Sequence, residues 1–430
     1  MERIAYQELL DWVNSKTRKP LILRGARQVG KTWIAKDFAK KHFDDNWVYV
    51  NFEEDDFLRK VFENDFNIDR ILRTISLRTG KTINSDTLLI FDEIQEAKRG
   101  ITSLKYFCEN ARSQPIISAG SLLGISMHNG DSFPVGKVDF IDLEPLSFRE
   151  FLMACGKQSW IDLLDNQDWE LVKSIKDKFV EMLKTYYYVG GMPEAVQTYV
   201  DSNDMESVRK VQVNILNAYS SDFSKHAPDR EVPRIKLVWE SIISQLSKEN
   251  RRFVFNVLKD GARAKEFELA IEWLVDAGLV RKVNRTKSGE LPLNAFEDFG
   301  AFKLFTLDIG LLCAQARLNS SILAEGDNMF STFKGALTEQ YVCQQLSKNV
   351  DLMYYWSADN SSGEIDFLVQ INGRVIPIEV KAEENLKAKS LRFFVDKYVG
   401  LKGLRFSMSD CRDQEWMANI PLYALASNVL

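Results

Sequence analysis

Histidine is scarce in this sequence: 430 residues contain three, His42, His128 and His226, far apart. That scarcity argues against histidine-based metal binding or acid–base chemistry. Five cysteines (Cys108, Cys155, Cys313, Cys343, Cys411) show no CxxC spacing. Zinc knuckles and disulfide frameworks drop out, and buried reduced thiols remain as the reading. No apolar run reaches the roughly 18 to 20 residues that cross a bilayer. The longest uncharged stretch, Pro115–Gly130, is broken by glycine and serine, so no membrane partner is expected. Met1-Glu2-Arg3-Ile4 lacks the basic region and apolar run of a secretory signal, and a cytoplasmic location is the expectation. Basic excess is missing too. The net charge is −5, so any nucleic-acid role must rest on local patches.

What is present is ordinary globular composition, 45% hydrophobic and 27% charged, long enough for two or three domains. Three are expected: residues 1–145, 146–325 and 326–430. Apolar runs at residues 20–23, 47–52, 88–91, 115–119 and 138–143 alternate with helical spacing. Such alternation predicts an α/β domain with a largely parallel sheet covered by helices. From Ser147 to about Lys248 the pattern is helical. Residues 264–283 read as a helix, a terminating Gly278 and a strand, which fits a winged-helix-like module or a packing module that touches no DNA. From Phe333 on, a helix and strands at residues 353–356, 365–371 and 374–381 predict a further α/β region.

Chemistry enters at Gly25-Ala26-Arg27-Gln28-Val29-Gly30-Lys31-Thr32, which fits GxxxxGK[ST] between a predicted strand and the helix that opens at Trp33. Glycines there let backbone N–H groups turn toward phosphates, the helix N-terminus adds its dipole, Lys31 reaches the β and γ phosphates and Thr32 ligates magnesium. The expected cofactors are ATP and Mg2+, held by residues 25–33. Downstream, Leu88-Leu89-Ile90-Phe91-Asp92-Glu93 is a buried strand ending in two acids. Asp92 is expected to hold magnesium through water and Glu93 to deprotonate the attacking water. Ser118 or Ser121, at the end of the next strand, is a candidate sensor of the γ-phosphate. Lys137, Arg149 and Arg112 are candidate cations for it. Supply of that cation by a neighbouring subunit would require a homo-oligomer.

Near the C-terminus, Asn372-Gly373 separates Glu364–Ile371 from Arg374–Lys381. Asn-Gly is a strong two-residue hairpin signal. With Ile371 facing Arg374, the register sets Asp366 opposite Glu379 and Glu364 opposite Lys381. Two carboxylates with Cβ atoms roughly 5 Å apart repel. A divalent cation, a second Mg2+ or Mn2+, or Lys381 as counter-ion would compensate. Asp366, Glu379 and Lys381 could thus position a water for phosphodiester attack, with Glu339 as a further ligand. A solvated face with salt bridges is the other reading. Pro377 inside the strand is a possible break in the register.

The segments GARQVGKT, LLIFDEIQ, EPLSFREFL, GGMPEAV, KGALTEQYV and GEIDFLV with PIEVK occur in that order. Together they resemble prokaryotic AAA-type P-loop ATPases of the AAA+ superfamily whose C-terminal half is a domain of unknown function with a PD-(D/E)xK nuclease-like fold, as in archaeal Holliday-junction resolvases. The resemblance implies that Lys31 and Thr32 belong to Walker A, Asp92 and Glu93 to Walker B, and Glu339, Asp366, Glu379 and Lys381 to a nuclease-type quartet. Where relatives show Gly-Arg, this chain has Gly136-Lys137. Two expectations follow: ATP turnover controlling a metal-dependent nuclease, with DNA as a candidate partner, or a nucleotide-switched regulatory or scaffold protein whose nuclease fold is inactive.

Overall fold

The computed structural model describes residues 1–120, 133–321, 331–350, 352–358, 363–384 and 388–427. Two compact units emerge, Glu2–Glu144 and Pro145–Leu430. Among the described residues no helix is long and apolar enough to cross a membrane.

In the first unit the expected strands form β1 (Leu21–Arg24), β2 (Trp47–Asn51), β3 (Leu88–Asp92), β4 (Ile116–Ala119) and β5 (Asp139–Asp142). They lie in one parallel sheet of order β2-β3-β4-β1-β5. β3 is buried at every position, which its unbroken apolar run demands of a parallel strand covered on both faces. β2 alternates buried and half-buried positions. Phe91 of β3 meets Phe52 and Phe107 edge-on, at centroid distances of 5.6 and 5.9 Å. Helix Ile68–Thr79 covers this core with Ile68, Ile71 and Ile75, starts on the Asn67 side chain and stops at left-handed Gly80. Both end signals are legible locally.

The second unit holds one eight-stranded sheet of order β12-β13-β11-β10-β9-β8-β6-β7. Its strands are β6 (Val280–Thr286), β7 (Glu297–Thr306), β8 (Leu352–Ser357), β9 (Glu364–Ile371), β10 (Arg374–Val380), β11 (Gly403–Ser407), β12 (Arg412–Asp413) and β13 (Met417–Pro421). Here one expectation needs correction. Helix Ala264–Asp276, Gly278 and β6 occur as anticipated, but the β6–β7 hairpin is not a free wing. β6 pairs in parallel with β8 at Arg285↔Tyr355 and Thr286↔Trp356. The same pairing places strands from both sides of residue 325 in one sheet.

A buried acid knits this unit. Asp308 caps helix Ile309–Gln315 by accepting from Leu311 N–H at 3.0 Å. It also accepts from Gly191 N–H at 2.6 Å and from the Gln344 amide at 3.0 Å. A Cβ at Gly190 would sit 2.2 Å from Asp308 Oδ1, so this approach admits only glycine. The GGMPEAV segment and helix Ser331–Leu346 are thereby held to one carboxylate. The start of helix Phe148–Ala154 is a reciprocal cap between Ser147 and Glu150, as the LSFRE segment encodes.

Candidate functional site

The glycine loop connects β1 to helix Lys31–His42. Three of its residues have positive φ: Gly25 at 142°, Gln28 at 67° and Gly30 at 94°. A Cβ on Gly25 would fall 2.2 Å from the Leu143 carbonyl oxygen, so the loop's entry requires glycine. Lys31 is 7% exposed. Its Nζ donates to the Gly25 and Ala26 carbonyls at 2.8 and 2.6 Å. Burial lowers its pKa to about 8, against the opposing pull of Glu93 and Asp92. Trp33 follows at the helix start, about half exposed.

β3 delivers Asp92 to this loop. Thr32 Oγ1 lies 2.9 and 3.1 Å from the two Asp92 carboxylate oxygens. Tyr49, which sequence reasoning missed, donates its hydroxyl to Asp92 Oδ2 at 2.7 Å. Strand parity was the available signal: Asn51 pairs with Asp92, so Tyr49, two residues earlier, shares its face. Burial raises the Asp92 pKa, while the Tyr49 and Thr32 hydroxyls oppose that rise. A hydroxyl and a carboxylate, both oxygen donors, suit a hard cation such as magnesium. The chain turns at Glu93, a non-glycine residue at φ 49°, and Gln95 Nε2 donates to Glu93 Oε2. Such left-handed strain clusters where a side chain must be aimed.

The sensor candidates divide. Ser118 pairs with Phe91 and Ile22, on the sheet face opposite Asp92, and its hydroxyl is buried in the core. It therefore does not reach the glycine loop. Ser121 lies outside the described residues. Of the candidate cations, Lys137 pairs with Glu109 at 2.9 Å and Arg149 makes two 2.7 Å contacts to Asp165.

In the C-terminal hairpin, Asn372 and Gly373 adopt φ of 49° and 73°, and Arg374 pairs with Ile371 as expected. The register continues to Ile378↔Phe367. Pro377 is tolerated because antiparallel alternation turns its nitrogen away from β9, one residue before β11 pairing starts at Ile378↔Leu404. Past Phe367 the ladder ends. Val380 N–H donates to Asp366 Oδ2 at 2.7 Å, and the expected Glu364–Lys381 pair is not made. Lys381 lies 3.1 Å from Glu379, and Glu364 lies 2.5 Å from Lys303 of β7.

Lys303 and Arg251 were absent from the sequence reading, and they reshape the site. Lys303 is fully buried, with Glu339 Oε2 at 3.6 Å. Arg251 pairs with the other Glu339 oxygen. Burial alone would raise Glu339, but Lys303 and Arg251 hold its pKa below the ordinary value. Desolvation, then the charge of Glu339, push Asp366 well above the carboxylate range. Among the described residues no group of three or more His, Cys, Asp or Glu is arranged to hold a metal ion. Glu339 and Asp366 are in side-chain hydrogen-bond contact with each other, while Glu379 faces Lys381, and the Lys303 and Arg251 cations sit against Glu339.

Comparison with known proteins divides the chain into three matched segments. Residues 17–152 match the family described as AAA domain, while residues 180–322 and 334–424 match two domains of unknown function, DUF8612 and DUF4143. An uncharacterized protein of Methanocaldococcus jannaschii is 22% identical over 394 residues, 89% of this chain and 79% of that protein. Among solved structures, a Walker-type ATPase of Pyrococcus abyssi is similar with TM-score 0.43 at 13% identity, covering 72% of this chain and 94% of that one. The Aeropyrum pernix Orc1 protein, solved in complex with DNA, gives 0.30 at 11% identity, covering 73% and 91%. The Thermotoga maritima RuvB Holliday junction branch migration motor gives 0.31 at 13% identity, covering 65% and 89%. With the family match spanning the glycine loop, Asp92 and Glu93, the N-terminal part of this chain is an AAA-type P-loop ATPase domain.

Proposed function

We propose that residues 25–33 bind ATP with Mg2+ and that Glu93 activates the water that hydrolyses it. The observation that carries this reading is the contact between Thr32 and Asp92 at the end of β3, beside Lys31. Loop N–H groups and Lys31 hold the β and γ phosphates, and Thr32 and Asp92 position the cation, directly and through water. Magnesium supplies charge neutralisation between the phosphates. Glu93 accepts the proton of the attacking water. With Lys137 and Arg149 engaged in ion pairs, Arg112 or a cation from a second copy of the chain in a homo-oligomer serves the γ-phosphate.

For the C-terminal region, the engagement of Glu339 by Arg251 and Lys303 favours the reading in which a nuclease-like fold serves regulation or assembly and ATP state is its switch. The carboxylates as placed do not fit a resident metal, and no cleavage step is derived from them. Two assays test the pair of claims. Lys31→Ala should abolish ATP binding, and Glu93→Gln should bind ATP while turnover falls about 100-fold or more; equal turnover in Glu93→Gln and the unmodified protein defeats the catalytic assignment. Cleavage of branched, single-stranded or duplex DNA with Mn2+, abolished by Asp366→Ala or Lys381→Ala, would defeat the regulatory reading in favour of a nuclease.

A further inference from the structure

A basic concavity opens in this net negative chain. A cavity of about 550 Å3 lies between helix Lys389–Lys397 and the strands β11 to β13. That volume is in the range of small-molecule sites. Four cations line it, Lys389, Arg392, Arg405 and Arg412, with Asp396 as the acid among the lining residues. Asp396 is already taken by Arg392, at 2.9 Å.

Arg405 makes this a built site rather than a loose patch. It is 4% exposed yet lines the cavity. Its Nε donates to Asn419 Oδ1 at 2.8 Å. Asn419 is in turn fixed by donating to the Ser409 and Asp410 carbonyls at 3.2 and 2.9 Å. The guanidinium is thereby oriented before any ligand arrives, which lowers the entropic cost of binding. Glu379 pairs with Arg405 across the strands but also faces Lys381 at 3.1 Å, so it offsets only part of the local positive charge.

The second feature is aromatic. Trp416 lines the cavity and carries the Arg392 guanidinium 5.0 Å from its ring centroid. Phe393, on the helix side of the cavity, is 53% exposed. Cations beside flat rings are the combination that holds a phosphate while a base stacks.

We propose that this cavity binds a phosphorylated nucleoside, with the phosphate on Lys389, Arg405 and Arg412 and the base against Trp416 and Arg392. The ligand chemistry is the same for a free mononucleotide and for one nucleotide of a single strand. The cavity shares no lining residue with the glycine loop or the carboxylate cluster, and the proposal does not depend on either assignment.

The full chain carrying Lys31→Ala, which disables the glycine loop, is offered dTMP in calorimetry and a fluorescein-labelled thymidine dodecamer in anisotropy. At least one probe should bind. Charge reversal of the exposed residues, Arg412→Glu and Lys389→Glu, should weaken that binding tenfold or more. Lys16→Glu, a surface change in the first unit, should not. In the strand assay each lost contact should also flatten the slope of log affinity against log salt by about 0.7. Trp416→Leu should remove the preference for dTMP over inorganic phosphate. Binding of dTMP identifies a free-nucleotide site, and binding of the dodecamer alone identifies a strand site. Failure of both probes, or binding indifferent to both charge reversals in proteins with unchanged unfolding midpoints, overturns the proposal.

Discussion

Replacing Lys303 by Met is the sharpest probe of the carboxylate cluster. The ammonium is fully buried, 2.5 Å from Glu364 and 3.6 Å from Glu339 Oε2. Glu339 Oε2 has no hydrogen-bond partner among the described residues. Methionine preserves the volume of the stem but leaves Glu339 with Arg251 on its other oxygen, and Glu364 without its cation. Breaking a buried pair by removing one partner costs about 3–5 kcal/mol, a large share of the 5–15 kcal/mol typical of a domain. Neutralising Glu339 as well removes the coupling between it and Lys303, so Lys303→Met with Glu339→Gln should cost about 1 kcal/mol or more less than the sum of the two single variants. Denaturant unfolding of the single and double variants reads both quantities. A pH signature accompanies them. Burial lowers the Lys303 pKa, but the neighbouring carboxylates outweigh it and raise the value above the ordinary 10.5. A raised lysine contributes stability that is complete below 10.5 and is lost as pH climbs through the higher folded value. Lys303→Met should lack that alkaline loss. A cost below about 1 kcal/mol would refute the ion-pair account, given the magnitude expected of a buried pair. So would recovery of the single variant by Mn2+, since that would make the carboxylates metal ligands after all.

Three further outcomes concern the glycine loop. With Lys31 at about 8, its charged fraction falls as pH rises past that value, so ATP affinity should decline by up to about tenfold per pH unit and binding should take up a proton. Calorimetry in buffers of different ionisation heat checks this, and binding without proton uptake at pH about 9 contradicts it. Tyr49→Phe removes the 2.7 Å bond to Asp92 and should lower kcat by about tenfold while nearly sparing ATP affinity, the loss of a hydrogen bond to a charged group; steady-state kinetics decide, and an unchanged kcat rejects a positioning role. Gly25→Ala places a methyl 2.2 Å from the Leu143 carbonyl at φ 142°. It should cost at least about 2 kcal/mol in thermal or urea unfolding, and a neutral result would mean the loop relaxes freely.

The difference between what the sequence reveals and what it hides is a difference in the range of the interactions. The glycine loop is legible because phosphate cradling needs consecutive backbone N–H groups, so Gly25 to Thr32 carry the whole pattern in one segment. β3 is legible because a strand buried on both faces must be apolar throughout. The hairpin register can be counted from Asn372-Gly373, since a two-residue turn fixes every pair beyond it, and the count holds to Ile378↔Phe367. It ends before Asp366 and Glu364: beyond Ile378 the next bond between the two strands is from Val380 N–H to the Asp366 carboxylate at 2.7 Å, a side chain replacing a backbone partner. No local rule announces that break. The partners that decide the chemistry of the cluster arrive from still farther away: Lys303 lies 61 residues before Glu364, and Arg251 lies 88 before Glu339. They reach it because β6 and β7 extend the C-terminal sheet. A motif therefore predicts which acids are present, but the order of strands across the sheet decides whether those acids meet a metal or a lysine.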